Sequence, residues 1–376
     1  LTAELPSSDE HEVVHFDPLS AETPKDAWQV LGDHALDPNP FFGPAFLCAF
    51  LEHIGPRSVR LLVVRERASG RWLLGAPLGR RRLGLALPAN ATWATEYAPL
   101  GTPLIHPDAG DDAVRRFLEA GTVPGGLLAV PYLPLETQSA RRLKNAAPDR
   151  TLVLARSARA GHGTGAEGTA QLAEADSGKR RKEMRRLMRR LGDHGTPRFV
   201  SLAGAEAIQG FEAFLHLEAA GWKGRTGTAL LSLPETAAFA RLAVQHRAGT
   251  GGVRIDQLWA GDTLVAALVL FGDGGRVFSW KIAFDEDFAR YSPGAQIALQ
   301  ALRTNLASPG FKEADSLAVP GHKMIEPLWR GRLETGTLVY AQGALGGLKQ
   351  KLGEADVQLE RSLRHAARSL KRRLSR

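Results

Sequence analysis

The chain has one cysteine in 376 residues, which excludes an internal disulfide and a thiolate metal cluster. Cys48 lies in the apolar run Phe46 to Leu51, where a buried packing role is expected and a reducing, cytoplasmic setting fits. Long apolar runs are missing too. The longest, Leu264 to Phe271, falls far short of the ~18 residues that a spanning helix needs. The acidic, Pro-containing start has no basic region leading into an apolar one, so no signal peptide is read there. Aromatic residues make up 7% of the chain, and neither of its two strongly basic segments contains one. Without stacking platforms among the arginines, nucleic acid is a weaker expectation than an acidic surface. Finally, the first half lacks any cluster of catalytic side-chain types, and His106, His162 and His194 stand alone.

What is present is a globular composition, 44% hydrophobic, long enough for two domains. The net charge of +8 is unevenly placed. Lys179 to Arg190 carries a net +7 and Lys349 to Arg376 a net +6, which leaves the remainder at −5. Met184, Leu187, Met188 and Leu191 give the first segment a thin apolar face at helical spacing; Leu359, Leu363, Ala366 and Leu370 do the same for the second. Such helices are most simply solvated, and they also suit an anionic membrane or an acidic partner.

Two motifs mislead. His11-Glu12-Val13-Val14-His15 spells the zinc-protease pattern HExxH, but paired valines and a nearby Pro18 favour a strand, in which the two histidines cannot share an ion. Gly163 to Gly168 spells GxGxxG inside Arg159 to Ser177, a Gly/Ala-rich stretch expected to be a flexible linker without the strand and helix of a dinucleotide site.

The first half alternates strands and helices: a helix over Phe41 to Ile54, a hairpin of Val59 to Arg65 with Arg71 to Leu78, and strands at Gly126 to Tyr132 and Thr151 to Ala155. In the second half, Ala205 to Ala219 and Ser232 to Ala248 read as helices. Gly252 to Ala260, Thr263 to Phe271 and Arg276 to Phe284 then form a meander with turns at Gly261-Asp262 and Gly272 to Gly275. After Asp285 to Tyr291, Ser292-Pro293 predicts a hydroxyl N-cap with proline at the first helical position, and Gly294 leaves the helix N-terminus open to an anion. Strands at Glu313 to Val319 and Thr335 to Tyr340 close the half.

Trp280-Lys281 with Asp285, Ala289 to Gly294, and Glu218 ahead of Gly221-Trp222-Lys223-Gly224 resemble the BioF2-like acetyltransferases of the GNAT superfamily, a group that includes proteins tied to exopolysaccharide production. The resemblance runs from about Asn39 to Tyr340 and is specific from Glu218 to Asp315. Arg290 to Ala295 is one residue longer than the usual GNAT phosphate loop. The resemblance implies an α/β (α+β) fold of two tandem GNAT-like half-domains, at 1–158 and 198–345, joined by a linker and basic helix at 159–197 and followed by a basic helix at 346–376. It also implies acetyl-CoA or another acyl-CoA as co-substrate, with no metal. Lys281, Arg290, Ser292, Gly294 and Ala295 would hold the pyrophosphate, and Trp222, Lys223, Trp280 and His322 the acceptor. Acyl transfer to an amine needs a proton acceptor and benefits from a donor to the leaving sulfur. Glu218, Asp285, Asp315 and His322 are candidates for the first role and Tyr291 for the second.

Three functions follow from different classes. They are an N-acyltransferase acting on a small amine such as an amino sugar, a FemABX-like aminoacyl transferase using aminoacyl-tRNA, and a non-catalytic module docking on an anionic membrane or a polysaccharide synthase.

Overall fold

In a computed structural model, which describes residues 10–122 and 126–374, the chain opens on β1 (His11–Phe16), α1 (Lys25–Asp33) and α2 (Pro44–His53). Next come β2 (Arg60–Glu66), β3 (Trp72–Arg82), β4 (Pro88–Thr92) and the short β5 (Leu104–Ile105). Then follow α3 (Asp111–Ala120), β6 (Leu127–Pro134), α4 (Gln138–Ala146) and β7 (Thr151–His162). Helices α5 (Gly165–Ala175) and α6 (Gly178–Leu191) lead to β8 (Pro197–Ala203), α7 (Ala205–Ala220), the single turn α8 (Trp222–Arg225) and α9 (Pro234–Gly249). The meander β9 (Val253–Ala260), β10 (Thr263–Asp273) and β11 (Arg276–Phe284) passes through a 3-10 turn, Glu286–Tyr291, into α10 (Pro293–Ala307). β12 (Glu313–Asp315), β13 (Gly331–Ala341) and α11 (Gly346–Leu374) end the chain.

Two compact units emerge, and their boundaries differ from a division into sequence halves. The first comprises 1–42, 57–157 and 334–376; the second comprises 43–56 and 158–333. Helix α2 thus belongs with the second unit, because Phe46 and Phe50 set their rings edge-on against Phe239 of α9. The last strand and helix belong with the first.

In the first unit the strand order is β1-β2-β3-β4-β6-β13-β7, with β5 beside β3. The hairpin β2-β3 is antiparallel, as its turn predicts, with Arg60 opposite Leu78. β1 is a strand, and within it His11 bonds Asp112 and Glu12 pairs with Arg65, so the HExxH pattern is built as an edge ladder. Helix α11 is mostly exposed along its described residues, as a solvated helix is, and is seated on this unit's core at Val357. Val357 is buried with Ala89, Leu127, Leu154, Val339 and Ala341.

The second unit has the order β7-β12-β11-β10-β9-β8 from residue 158 onward. Arg159 to Ser177 is no linker: it forms the end of β7 and all of α5. The GxGxxG stretch therefore does stand between a strand and a helix. Gly168 serves packing, since a β-carbon there would lie 2.4 Å from Gly163 O, Gly165 serves the turn with φ 59°, and Gln171 occupies that turn by accepting from Gly163 N. Leu258, Leu268 and Leu270 of the sheet and Ile297, Ala298, Ala301 and Leu302 of α10 form the main core.

Candidate functional site

The site begins at an irregularity in β11. Against β10, Val269 faces Lys281 and Leu270 faces Ser279, so Trp280 is an extra residue, a bulge. One extra residue reverses which face each later side chain takes. Val277 before the bulge and Ile282 and Phe284 after it therefore share the face that packs toward α10. Trp280 turns the other way, into an aromatic cluster with Phe46, Phe211, Phe239 and Phe271, ring centroids 5.0 to 6.2 Å away. Trp280, expected to bind substrate, is thus core. Lys281 lies 5.9 Å over its ring and lines neither cleft described below. Pairing of β11 with β12 ends at Phe278, so the two strands part as β11 approaches the site.

At the end of β11, Asp285 caps the 3-10 turn by accepting from Asp287 N at 3.0 Å. Ser292 then takes a left-handed conformation, φ 53° and ψ 48°, and its hydroxyl makes no cap; its carbonyl accepts from Gln296 N at 3.0 Å. The expected hydroxyl N-cap is therefore absent, while Pro293 does occupy the first turn. Around this N-terminus lies a cleft of about 750 Å³ lined by Ser292 to Ala295, Phe284, Met324 and, from α6, Lys179, Arg180, Met184 and Leu187. Lys323 adds a further cation. Arg180 is braced by donating to Pro327 O at 2.8 Å, and Gln296 donates to Met184 O at 2.9 Å, which ties α6 to α10. Gly294 is not open to solvent as its sequence context predicts. A β-carbon there would lie 2.7 Å from Met324 Sδ and 3.3 Å from Phe284 Cδ1. Arg290 is exposed, 4.9 Å over the ring of Tyr291, and does not line the cleft.

A second cleft, of about 260 Å³, shares Phe284 and Met324 with the first. Glu218, Trp222, Lys223, Ile282, Glu286 and His322 line it. Glu218 is buried, accepting from Lys223 Nζ at 2.6 Å and from Leu230 N at 2.9 Å. Trp222 is 54% exposed, which suits its expected place in a binding cleft rather than in the core. Glu286 holds Trp222 N at 2.7 Å and pairs with Arg225. The arginine and then the backbone donor keep this carboxyl below its usual range.

The structure thus brings together Glu218, Trp222, Lys223 and His322 in one cleft, and Ser292, Gly294 and Ala295 in the other. Three further candidates stand apart from both. Asp315 is buried in an ion pair with Arg159 and accepts from Leu317 N. Tyr291 is buried, its hydroxyl 2.8 Å from His194 Nε2. Asp285 is spent on its turn. Sequence reasoning missed Lys179, Arg180, Lys323 and Met324. The thin apolar face of the basic helix was the available signal, since a helix seated by Met184 and Leu187 must hold nearby cations against the body.

Residues 178–321 match the acetyltransferase (GNAT) domain family. No curated protein matches the chain. Among solved structures, FemX is similar at a TM-score of 0.56 and 9% identity, with 91% of this chain and 100% of that chain covered. A conserved protein of unknown function from Bacteroides thetaiotaomicron gives 0.50 at 13% identity, covering 88% and 100%. The C-terminal domain of a putative lysylphosphatidylglycerol synthetase from Agrobacterium fabrum gives 0.48 at 14%, covering 87% and 94%. The fold is accordingly a mixed α/β one like that of FemX, and the stretch of the second unit from 178 to 321 is similar to the GNAT acetyltransferase domain.

Proposed function

We propose that the second unit is an N-acyltransferase that holds an acyl-CoA along the larger cleft and an amine acceptor in the smaller one. The observation that carries this reading is that a basic cleft at the start of α10 and a cleft with proton-accepting groups meet at Phe284 and Met324. Lys179, Arg180 and Lys323, together with the unpaired N–H groups of a 15-residue helix, suit a pyrophosphate. The adjoining apolar walls suit the pantetheine arm, and the acyl group would sit at the junction.

In such a transfer the amine lone pair attacks the thioester carbonyl, the carbon–sulfur bond breaks and the amine loses a proton. Glu218, fixed by Lys223 and Leu230 N, offers its remaining carboxylate lone pairs to orient the amine. His322 is placed to take the proton, imidazole being the side chain best matched to that task near neutral pH. A carboxylate already bonded twice is the poorer acceptor. The small acyl group favoured is acetyl, and the acceptor an amino sugar or exopolysaccharide precursor.

His322→Ala should lower kcat on the order of 10² to 10⁴-fold while acyl-CoA still binds. Unchanged turnover removes His322 from the reaction. An aminoacyl transferase using aminoacyl-tRNA is the second reading, favoured by the fold likeness to FemX across 91% of this chain. Thermal melting separates the two, since a ligand of the native state raises the melting temperature. Acyl-CoA should do so and aminoacyl-tRNA should not; the reverse result selects the second.

A further inference from the structure

The first unit contains a cleft of its own, of about 360 Å³, that acyl transfer does not use. Ala89 and Ala91 of β4, Ala129 of β6 and Ala155 of β7 face it, and α11 forms one wall. Small residues at four sheet positions leave space that Leu or Val would fill. The backbone is also unusual here. Only four non-glycine residues have a left-handed φ among the described residues, and two of them, Tyr132 at 52° and Ala155 at 53°, line this cleft. Such a conformation is strained for a residue with a β-carbon and gathers at binding sites. The strand register agrees: β6 carries one residue more than β13 between the pairs Gly336 with Leu133 and Leu338 with Val130, so Pro131-Tyr132 forms a bulge.

Charge completes the cleft. Arg81 and Arg82 enter from β3 and Arg361 and Arg364 from α11, against one acid, Glu360, which is paired with Arg364. Arg81 is set in advance. A β-carbon on Gly79 would lie 2.4 Å from the six-membered ring of Trp93, so only glycine admits that ring, and the guanidinium of Arg81 lies 4.0 Å over it. Burial lowers the pKa of Arg81, with Tyr132 and Glu96 opposing, yet a guanidinium stays cationic. Ser157 Oγ and Thr335 Oγ1, 3.1 Å apart, add hydroxyl groups.

We infer that this cleft binds a phosphate ester through Arg81, Arg82, Arg361 and Arg364. Guanidinium forks match phosphate oxygens in pairs, and four arginines against one carboxylate suit a multiply charged phosphate better than a single carboxylate. The volume falls within the ~300–1,000 Å³ usual for small-ligand sites. The inference does not rest on the acyltransferase reading.

Titration calorimetry of the full chain with pyrophosphate tests it, in a Lys179→Gln/Lys323→Gln background that weakens the basic cleft of the second unit. Arg81→Gln and, separately, Arg361→Gln should each weaken binding on the order of tenfold. Arg361 is exposed on a helix, so its substitution leaves the fold intact and keeps the test decisive where Arg81→Gln perturbs folding. Flotation with phosphatidylcholine vesicles carrying phosphatidic acid forms a second arm. Weakening toward pyrophosphate assigns a free phosphate ester, and weakening toward vesicles alone assigns a lipid headgroup phosphate. If neither substitution alters binding of either probe, or neither probe binds, the inference is wrong.

Discussion

Gly294 is buried where Met324 and Phe284 close over the start of α10, so the glycine serves the approach of two side chains as well as any ligand. Gly294→Asp must push Met324 aside and sets a carboxylate among the N–H groups assigned to pyrophosphate. Its repulsion of phosphate at 4 Å is about 1 kcal/mol in water and about 4 kcal/mol at an effective dielectric of 20. Calorimetry should show acyl-CoA affinity lowered at least tenfold, with circular dichroism reporting an intact helix. Equal affinity in the folded variant would move the phosphate site elsewhere. His162 gives a prediction of a different kind. It is buried against Phe311 and Trp329, with Asn305 at 3.0 Å from Nε2, and burial lowers its pKa from 6.5 to about 4. Between those values the unfolded chain binds the proton and the native one does not. Stability from this group is thus complete above pH 6.5 and is lost as pH falls toward 4, by an amount on the order of 3 kcal/mol. Urea midpoints across that range should fall more steeply for the wild type than for His162→Gln, and equal slopes would refute the assignment.

Among the elements, α11 carries an anchor that its sequence reading does not show. Besides burying Val357, it presents Asp356 to the turn 84–87. Its carboxylate accepts from Gly84 N, Leu85 N, Ala86 N and Leu87 N, at 2.9 to 3.2 Å. Desolvation pushes this carboxyl's pKa up, and the four N–H donors more than compensate, so the net shift is downward. Asp356→Ala should cost about 1–2 kcal/mol, as loss of a helix cap does, read as a lower urea midpoint. No change would show that the turn forms without its anchor. The bulge at Trp280 acts at the same scale. It decides which of Lys281, Ile282 and Phe284 reaches the cleft, and no residue pattern in Arg276 to Phe284 announces it.

Across the whole molecule the +8 charge gathers on α6 and α11, with different consequences. On α6, Lys179 and Arg180 line the larger cleft. α11 leaves Leu345 just before it and Leu348, Leu352, Leu359 and Leu363 along it, each more than half exposed, in one row at helical spacing. No helix among the described residues is long and apolar enough to cross a membrane. A leucine row flanked by Lys and Arg suits the surface of one. Flotation with anionic vesicles should show binding that weakens as salt rises and falls further in Leu359→Gln/Leu363→Gln. Binding absent, or unaffected by both changes, would leave the row without a lipid role.

The sequence by itself determined the local structure wherever short-range chemistry dominates. The glycine turns of the β9–β11 meander, Pro293 at the start of α10 and the paired valines of β1 each act through a few neighbouring residues, and each element forms as they dictate. It also placed Glu218, Trp222, Lys223 and His322, and separately Ser292 to Ala295, close enough in kind to propose a site. The tertiary structure decided what depends on distant partners. Trp280 is core while one extra residue turned Ile282 and Phe284 to the opposite face, Asp315 was taken by Arg159, and Ser292 lost its capping role to a left-handed backbone. Arg159 to Ser177, low in large apolar residues, was ordered into strand and helix by neighbours its own composition does not reveal. Hydrophobic burial is non-directional, so a chain can state which residues need cover without stating which others will provide it.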